Sequence, residues 1–558
     1  MKSLNKLKMP QDKGKVLKFL QDSDDYFDQA LEYLESEEFL PALDNIRRAI
    51  KLDPNELDFR FLLAQVYTDM GLYRKSNFEY FKLLAIDGNL GECYLRISQN
   101  YFMLKDETVA VSYLKKSIEF DFDEDEILDV DELMRELSRG EFRLLSQNSE
   151  DEMLLSCVNK LLSLNEYDGA LQLIQYVKPD SKYYINALDI AAFCYFRKKD
   201  PNKEIMLATE MLEIEPNNTH ALCYMSDGYA KMGDIEKAKE FANKILDLNI
   251  SDYNDYYRIS VILLQCDYKD QAIKLLNSYL SYYPYDELGL LLLSLAYYNY
   301  GEIELAKEYV FKLIRIDNSN TIAKYYNQFF QDNNKNQKEL SYIQQVPEEE
   351  VKRRIMMFDE ISSYTSSETV KFIKSNPEFF DYVKWLFDFG EPKLCKTLIT
   401  KLSHINLSSA QQFLKNCLVD ASLPYIVKQQ ILKELVLMLP SQKIALMHED
   451  QIKVLSSKPN KLIFEFPKVY FEAFADVFCS LAFIENDFET AFNRSVKKIL
   501  NLISQSKAQF RSRHNISALF AYNFKRPEMF GDLKVVTKIF GADNNTLKKY
   551  FNRLGLEI

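Results

Sequence analysis

From Tyr183 to Asn318 the chain repeats one arrangement of small, bulky and helix-stopping residues every 34 positions. Ala192, Ser226, Ser260 and Ser294 share one column of this alignment, and Tyr195, Tyr229, Leu263 and Tyr297 lie three positions on. Glu204, Ala238, Ala272 and Ala306 lie twelve positions on from that first column, and Pro216, Ile250, Pro284 and Asn318 lie twenty-four on. A small residue lets two helix backbones approach where they cross, and a Pro ends a helix and marks the passage to the next unit. The pattern therefore predicts antiparallel helix pairs stacked in register. The phase reaches back to Val158, Leu161 and Ala170. A second run at the same period begins with Ala30, Ala64 and Ser98, followed by Tyr33, Tyr67 and Tyr101. In it Ala42, Ser76 and Ala110 take the later small position, and Pro54 ends the first unit.

This period and these columns resemble the tetratricopeptide repeat (TPR), with Ala or Ser eighth, Tyr eleventh, Ala twentieth and Pro thirty-second. The resemblance implies an all-α fold, an α-solenoid of about eight helix-turn-helix repeats in blocks of three and five. It also implies a concave groove, lined by positions two, five, nine, twelve and thirteen of each unit, that receives a peptide or partner helix. Those positions include Phe27, Phe61, Gln65, Leu95, Gln99 and Phe102 in the first block. In the second they include Asn159, Phe193, Phe196, Arg197, Asp227, Lys231, Tyr257, Leu291, Leu295 and Tyr298. Each aromatic residue here serves packing as readily as recognition. The Lys-at-five, Asn-at-nine pair with which some TPR proteins clamp a C-terminal carboxylate is missing, so a chaperone-tail receptor is not expected.

The expected organisation runs as follows. A basic lead-in (1–22) precedes repeats one to three (23–122), an acidic insertion with an extra helix at Asp131–Ser146 (123–148), and repeats four to eight with a closing helix at Thr321–Phe330 (149–337). An irregular helical region follows (338–440), broken at Pro377, Gly390–Pro392, Pro424 and Pro440. Next come a hairpin plus helices (441–510) and a basic module (511–558). Within Lys443–Ser456, apolar Ile444, Leu446, Ile452 and Val454 flank His448-Glu449-Asp450, which predicts a small β-hairpin. The single Trp, Trp385, with Phe387 and Phe389 beside it, is expected in a core.

Composition narrows the function. The eight Cys contain no CxxC pair and five lie on repeat helices, which fits reduced, apolar packing in the cytoplasm. The longest apolar run, Leu288–Tyr298, is too short to span a bilayer, so no membrane partner is expected. The four His form no ligand spacing, and no phosphate loop or nucleophile elbow is present; neither a cofactor, a metal nor catalysis is expected. In the acidic run, Asp121, Asp123, Asp125, Asp129 and Glu132 follow EF-hand spacing, but Glu126 stands where the sharp turn needs Gly. A solvated hinge between the two blocks fits that run better than calcium.

The formal net charge is −13, yet residues 491–558 hold thirteen Lys/Arg against four acids, a local +9 that leaves −22 on the rest. In this basic end, predicted helices at Asn515–Phe524, Asp532–Phe540 and Asn545–Leu554, with a turn at Gly541, resemble a helix-turn-helix and, more loosely, the last helices of cyclin-like repeats. Thr537 stands where many such motifs place Ala. The resemblance implies that Asn544, Asn545, Lys548, Lys549 and Asn552 would face nucleic acid, with Arg511, Arg513, Lys525 and Arg526 on the backbone. Two functions are thus in view. One is a non-enzymatic scaffold holding a protein partner in the groove. The other is a regulator that couples partner sensing to nucleic-acid binding.

Overall fold

The computed structural model describes residues 22–120, 150–163, 167–248, 253–332, 339–343, 345–439, 442–484, 486–524 and 533–556. The basic lead-in, the acidic run Asp121–Glu132 with its expected helix, and most of the polar linker after the closing helix lie outside the described residues. The described chain is almost wholly helical, an α-solenoid followed by an irregular helical region.

Each expected unit is a helix pair. Units one to three are α1 (Ser23–Glu35) with α2 (Phe39–Leu52), α3 (Leu57–Asp69) with α4 (Tyr73–Ile86), and α5 (Gly91–Met103) with α6 (Glu107–Ser117). Units four to six are α7 (Glu150–Ser163) with α8 (Tyr167–Ile174), α9 (Tyr184–Lys198) with α10 (Pro201–Ile214), and α11 (Thr219–Lys231) with α12 (Ile235–Leu246). Units seven and eight are α13 (Tyr253–Gln265) with α14 (Lys269–Tyr282) and α15 (Glu287–Tyr300) with α16 (Ile303–Ile316), and α17 (Thr321–Asp332) closes the stack.

The repeat columns stand where the two helices of a unit cross. Ala192, Ser226, Ser260 and Ser294 are all buried, as are Ala238, Ala272 and Ala306 twelve positions on from the serines. The serine hydroxyl does more than save space. Ser98 Oγ donates to the carbonyl of Ala110 at 2.7 Å, Ser226 to Ala238 at 2.9 Å and Ser294 to Ala306 at 2.9 Å, whereas Ser260 donates to the Tyr256 carbonyl one turn back at 2.7 Å. A buried hydroxyl is thereby satisfied across the crossing it permits.

The turn between the two helices of a unit has its own requirement. Seven residues after the small column the backbone is left-handed: Gly71, Gly233 and Gly301 there have φ of 75°, 83° and 98°. Glu37, Lys105, Lys199 and Asp267 hold the same place with φ of 58°, 61°, 57° and 68°. A side chain in this region collides with the following carbonyl, which Gly avoids.

The two blocks do not simply run on from one another. Unit 1 shares its apolar core with units 6 to 8, and the second helices of units 1 and 2 dock on the end of unit 8. Arg47 caps the end of α16 by donating to the carbonyls of Arg315 and Ile316, the latter at 2.6 Å. Arg315 pairs with Asp44 at 2.6 Å, and Lys75 reaches both Asp317 and Glu287 at 2.8 Å. The ammonium of Lys75 holds the Asp317 carboxyl well below the usual carboxylate range, against the burial that pushes it up.

Beyond the solenoid lie α18 (Glu348–Ser363), α19 (Ser366–Ser375), α20 (Phe379–Phe389), α21 (Pro392–His404), α22 (Ser408–Val419) and α23 (Tyr425–Met438). Gly390 ends α20 with φ of 85°, and Pro392 opens α21, as the punctuation predicts. Strands β1 (Lys443–His448) and β2 (Gln451–Ser456) form the expected hairpin, His448 opposite Gln451, around a Glu449-Asp450 turn with both φ positive. Then follow α24 (Lys468–Ala482), α25 (Glu489–Ser506), α26 (Arg513–Phe524), α27 (Leu533–Phe540) and α28 (Asn544–Leu554). Trp385 is buried with Phe387 and stacks on a half-exposed Phe389 at 5.1 Å.

This region is fastened on the closing helix and on units 2 and 3 of the first block. The fully buried Arg354 bonds Glu350 at 2.8 Å and reaches the Thr321 hydroxyl and carbonyl of α17 at 3.1 and 3.0 Å, lying over the Trp385 and Tyr382 rings. On unit 3, Tyr101 donates to Asp450 at 2.9 Å, and Tyr113 Oη accepts from the Ile452 amide at 3.2 Å. The hairpin tip is thus held by the first block, while α18 is held by the closing helix of the second.

The turn geometry sets the sign of two substitutions. Lys199→Gly is expected to stabilise the chain by about 1 kcal/mol and Gly233→Ala to destabilise it by a similar amount. Urea denaturation of both variants measures the pair; a lower midpoint for Lys199→Gly refutes the left-handed turn.

Candidate groove on the first-helix face

First helices of successive units pack on one another (α9 on α11, α11 on α13), whereas second helices pack chiefly on the first helices beside them. The first helices therefore line the inner side of the stack. The ties between the blocks run through α2, α4 and the end of α16, and the hairpin docks at unit 3 on Tyr101, Ser112 and Tyr113. Among the described residues, those ties leave the first-helix face of units 5 to 7 uncovered.

Of the expected groove residues, Gln65, Asn159 and Arg197 are exposed, and Phe61, Gln99, Phe193 and Tyr257 are half-buried. Phe61 packs edge-on against Tyr80 at 5.3 Å, and Gln99 accepts from Arg96 at 3.2 Å. Tyr298 departs from the expectation. It is fully buried because Phe330 of the closing helix stacks on its ring at 4.9 Å, which makes it part of the core. Asp227 is also buried, ion-paired with Lys231 one turn on.

The residues the periodicity did not single out carry most of the groove's charge. His220, at position two of unit 6, lies between two carboxylates on neighbouring units. Its Nδ1 is 3.0 Å from Asp189 of unit 5 and its Nε2 is 2.9 Å from Asp255 of unit 7. Arg258 lies 3.8 Å from Asp189 and donates to Tyr224 Oη at 3.4 Å. Hydrogen bonds to Asp189 and then Asp255 raise the His220 pKa to about 9, so it is an imidazolium donating from both nitrogens at neutral pH. The Asp189 carboxyl, which burial pushes up, is held below its ordinary value by His220. The signal for these two was the position rule itself, since they occupy groove positions two and five.

A second cluster grows from a departure in the pattern. Glu204 stands where the other units have Ala or, in unit 2, Ser, and its side chain is fully buried. It crosses to unit 6, where Lys231 is 3.3 Å from its carboxylate and also pairs with Asp227. Burial, and then the neighbouring Asp227 charge, push the Glu204 pKa well above the ordinary carboxylate value. Lys231 also lies 4.0 Å over the Phe196 ring. One turn of α9 before Arg197, Phe193 stacks on Phe196 and meets Tyr167 edge-on.

At the other end of the chain, α26, α27 and α28 form the three expected helices around Gly541, where φ is 62°. Val536, Leu547 and Phe551 are buried between them, and Tyr550 stacks on Phe510 at 3.8 Å. The structure separates the expected nucleic-acid residues. Asn545, Lys548, Lys549 and Asn552 are exposed on α28, Asn544 is half-buried, and Arg511 is exposed. Arg513 is committed elsewhere, its guanidinium forked onto Asp476, which Lys433 also meets at 2.7 Å. Lys525 and Arg526 lie outside the described residues.

Among the described residues no group of His, Cys, Asp and Glu is arranged to hold a metal, and no helix is long and apolar enough to cross a membrane. The class of protein that this architecture defines is an α-solenoid of stacked helix-pair repeats, similar in its arrangement to the tetratricopeptide repeat.

No protein-family profile matches the chain. It is 23% identical over 305 residues to the TPR repeat-containing protein YvcD of Bacillus subtilis (strain 168), a match covering 53% of this chain and 62% of that protein. It is 20% identical over 205 residues to DnaJ homolog subfamily C member 3 of Bos taurus, covering 36% and 38%. The chain thus spans less than two thirds of the length of either relative. Similar solved structures include the P58(IPK) TPR domain (15% identity, 56% of this chain and 97% of that one, TM-score 0.23). Another is a tetratricopeptide repeat protein from Parabacteroides merdae ATCC 43184 (10%, 55% and 98%, TM-score 0.24). TM-scores this low carry no inference about function.

The His220 bridge gives a pH dependence whose sign follows from its raised pKa. The bridge contributes fully below the unfolded histidine value of about 6.5 and is lost as pH rises through about 9. With the ring one-third exposed, the contribution is about 1 kcal/mol after solvent screening. His220→Gln should flatten the fall in stability between those two pH values, measured by urea midpoints across the range. An unchanged slope refutes the bridge.

Proposed function

We propose that this chain is a non-enzymatic scaffold that binds a peptide or helix of a partner protein along the first-helix face of its repeats. The observation that carries this reading is the inner face of units 5 to 7. There Phe193, Phe196, Arg197 and Tyr257 stand on a lattice of ion pairs that ties three units together. A rigid concave surface with aromatic anchors suits a preformed amphipathic segment, since little side-chain freedom is lost on binding. All eight cysteines are free thiols and seven of them are buried, which supports a reducing, cytoplasmic setting.

The test uses the full chain as bait. Phe196→Ala with Tyr257→Ala is expected to weaken the captured partner about thirtyfold, as loss of aromatic anchors does. Lys244→Glu, on an exposed second helix, should leave capture unchanged. Capture that is equal in all three proteins refutes the groove.

A second reading adds nucleic acid at the C-terminus. It is favoured by one observation: Asn545, Lys548, Lys549 and Asn552 are all exposed on α28, the helix after the Gly541 turn. Duplex DNA and RNA binding by the full chain, followed across a salt series, should be lost with rising salt. Lys548→Glu with Lys549→Glu should reduce the salt slope by about two. No binding at low salt removes this reading.

A further inference from the structure

Four cations stand on the groove face of units 5 to 7, and three of them are already paired. Lys231 is shared by Asp227 and Glu204, His220 by Asp189 and Asp255, and Arg258 faces Asp189 and Tyr224. Arg197 is different. It is exposed in the last turn of α9, its guanidinium lies 5.6 Å over the Tyr167 ring and 5.9 Å over Phe193, and no carboxylate of the described residues reaches it. An arginine laid on two aromatic rings is held in orientation by its faces, while the N–H edge of the fork stays available. Half-buried Phe193 and Phe196 lie beside it, stacked on each other at 6.4 Å.

We propose that the groove at units 5 and 6 selects a partner segment carrying a carboxylate next to an apolar side chain, the carboxylate on Arg197 and the apolar group on Phe193 and Phe196. The inference rests on the groove reading above and names the chemistry that fills it. Charge complementarity decides the occupant. The neighbouring carboxylates of the groove are internally matched by Lys231, His220 and Arg258, so a basic segment would find its acids already engaged. An acidic segment would find Arg197, which no carboxylate among the described residues pairs. A guanidinium–carboxylate fork is directional, and the rings give it a fixed orientation on binding.

The experiment selects peptides from a random library displayed on phage, using the full chain, and measures each selected peptide against variants by fluorescence anisotropy. Selected peptides should share an acidic residue beside an apolar one. Arg197→Ala should weaken them about tenfold or more, with Arg197→Lys recovering part of the loss. Replacing the peptide acid by its amide should cost as much on the native chain and nothing further on Arg197→Ala. If Phe193→Ala and Phe196→Ala abolish binding but the selected peptides carry no acid, or the acid does not couple to Arg197, this inference fails and the groove reading stands. If no selected peptide depends on Phe193 or Phe196, both fail.

Discussion

Two helices approach closely only where neither carries a side chain larger than the gap between their backbones, and this solenoid meets that condition once per unit. The crossing residue is Ala or Ser in units 5 to 8, and Ser226 and Ser294 turn their hydroxyls onto the carbonyls they have brought near. Because the crossing is close, each unit presents an almost constant surface to the next. The units then stack at a fixed step, and each buries its apolar face only when a neighbour is present. The inner face, its charge lattice and the docking of the ends all depend on that step.

Glu204 shows what happens when the condition is relaxed at one position. A carboxyl stands where Ala stands in six other units, and it is accommodated because it lies across from Lys231 and Asp227. Burial and the neighbouring Asp227 charge push its pKa up, and Lys231 pairs with both carboxyls beside the aromatic residues of the groove. The His220 bridge reaches the same end by another route, with one imidazolium between two carboxylates on adjacent units. Both clusters join neighbouring repeats through the groove side, which makes that side stiff as well as polar.

The ends of the solenoid are joined by ionic contacts of a different kind. Lys75 and Asp317 are 242 residues apart in sequence, yet they meet at 2.8 Å with Glu287 beside them. The C-terminal region completes the arrangement. It grips the closing helix through Arg354 and unit 3 through the hairpin tip. Each of the three parts therefore touches the other two. The basic helices at the end of the chain use Arg513 internally, on Asp476, while α28 turns its lysines outward.

The amino-acid sequence by itself determined everything that repeats or that stops a helix. The register of Ala192, Ser226, Ser260 and Ser294, the closing helix, the breaks at Gly390 and Pro424, the hairpin at Lys443–Ser456 and the three terminal helices were all legible, because each depends on neighbours within about one unit. The left-handed turn was hidden, since only Gly71, Gly233 and Gly301 mark it and Glu37, Lys105, Lys199 and Asp267 disguise it. Groove positions were legible as a face but not as chemistry. Tyr298 was lost to the core by a ring on the closing helix, and His220 gained its charge from carboxylates on two other units. Only the tertiary structure decided those matters and the joining of unit 2 to unit 8. A period records what each unit meets in its nearest neighbours, whereas a single ion pair between distant segments leaves no periodic trace in either.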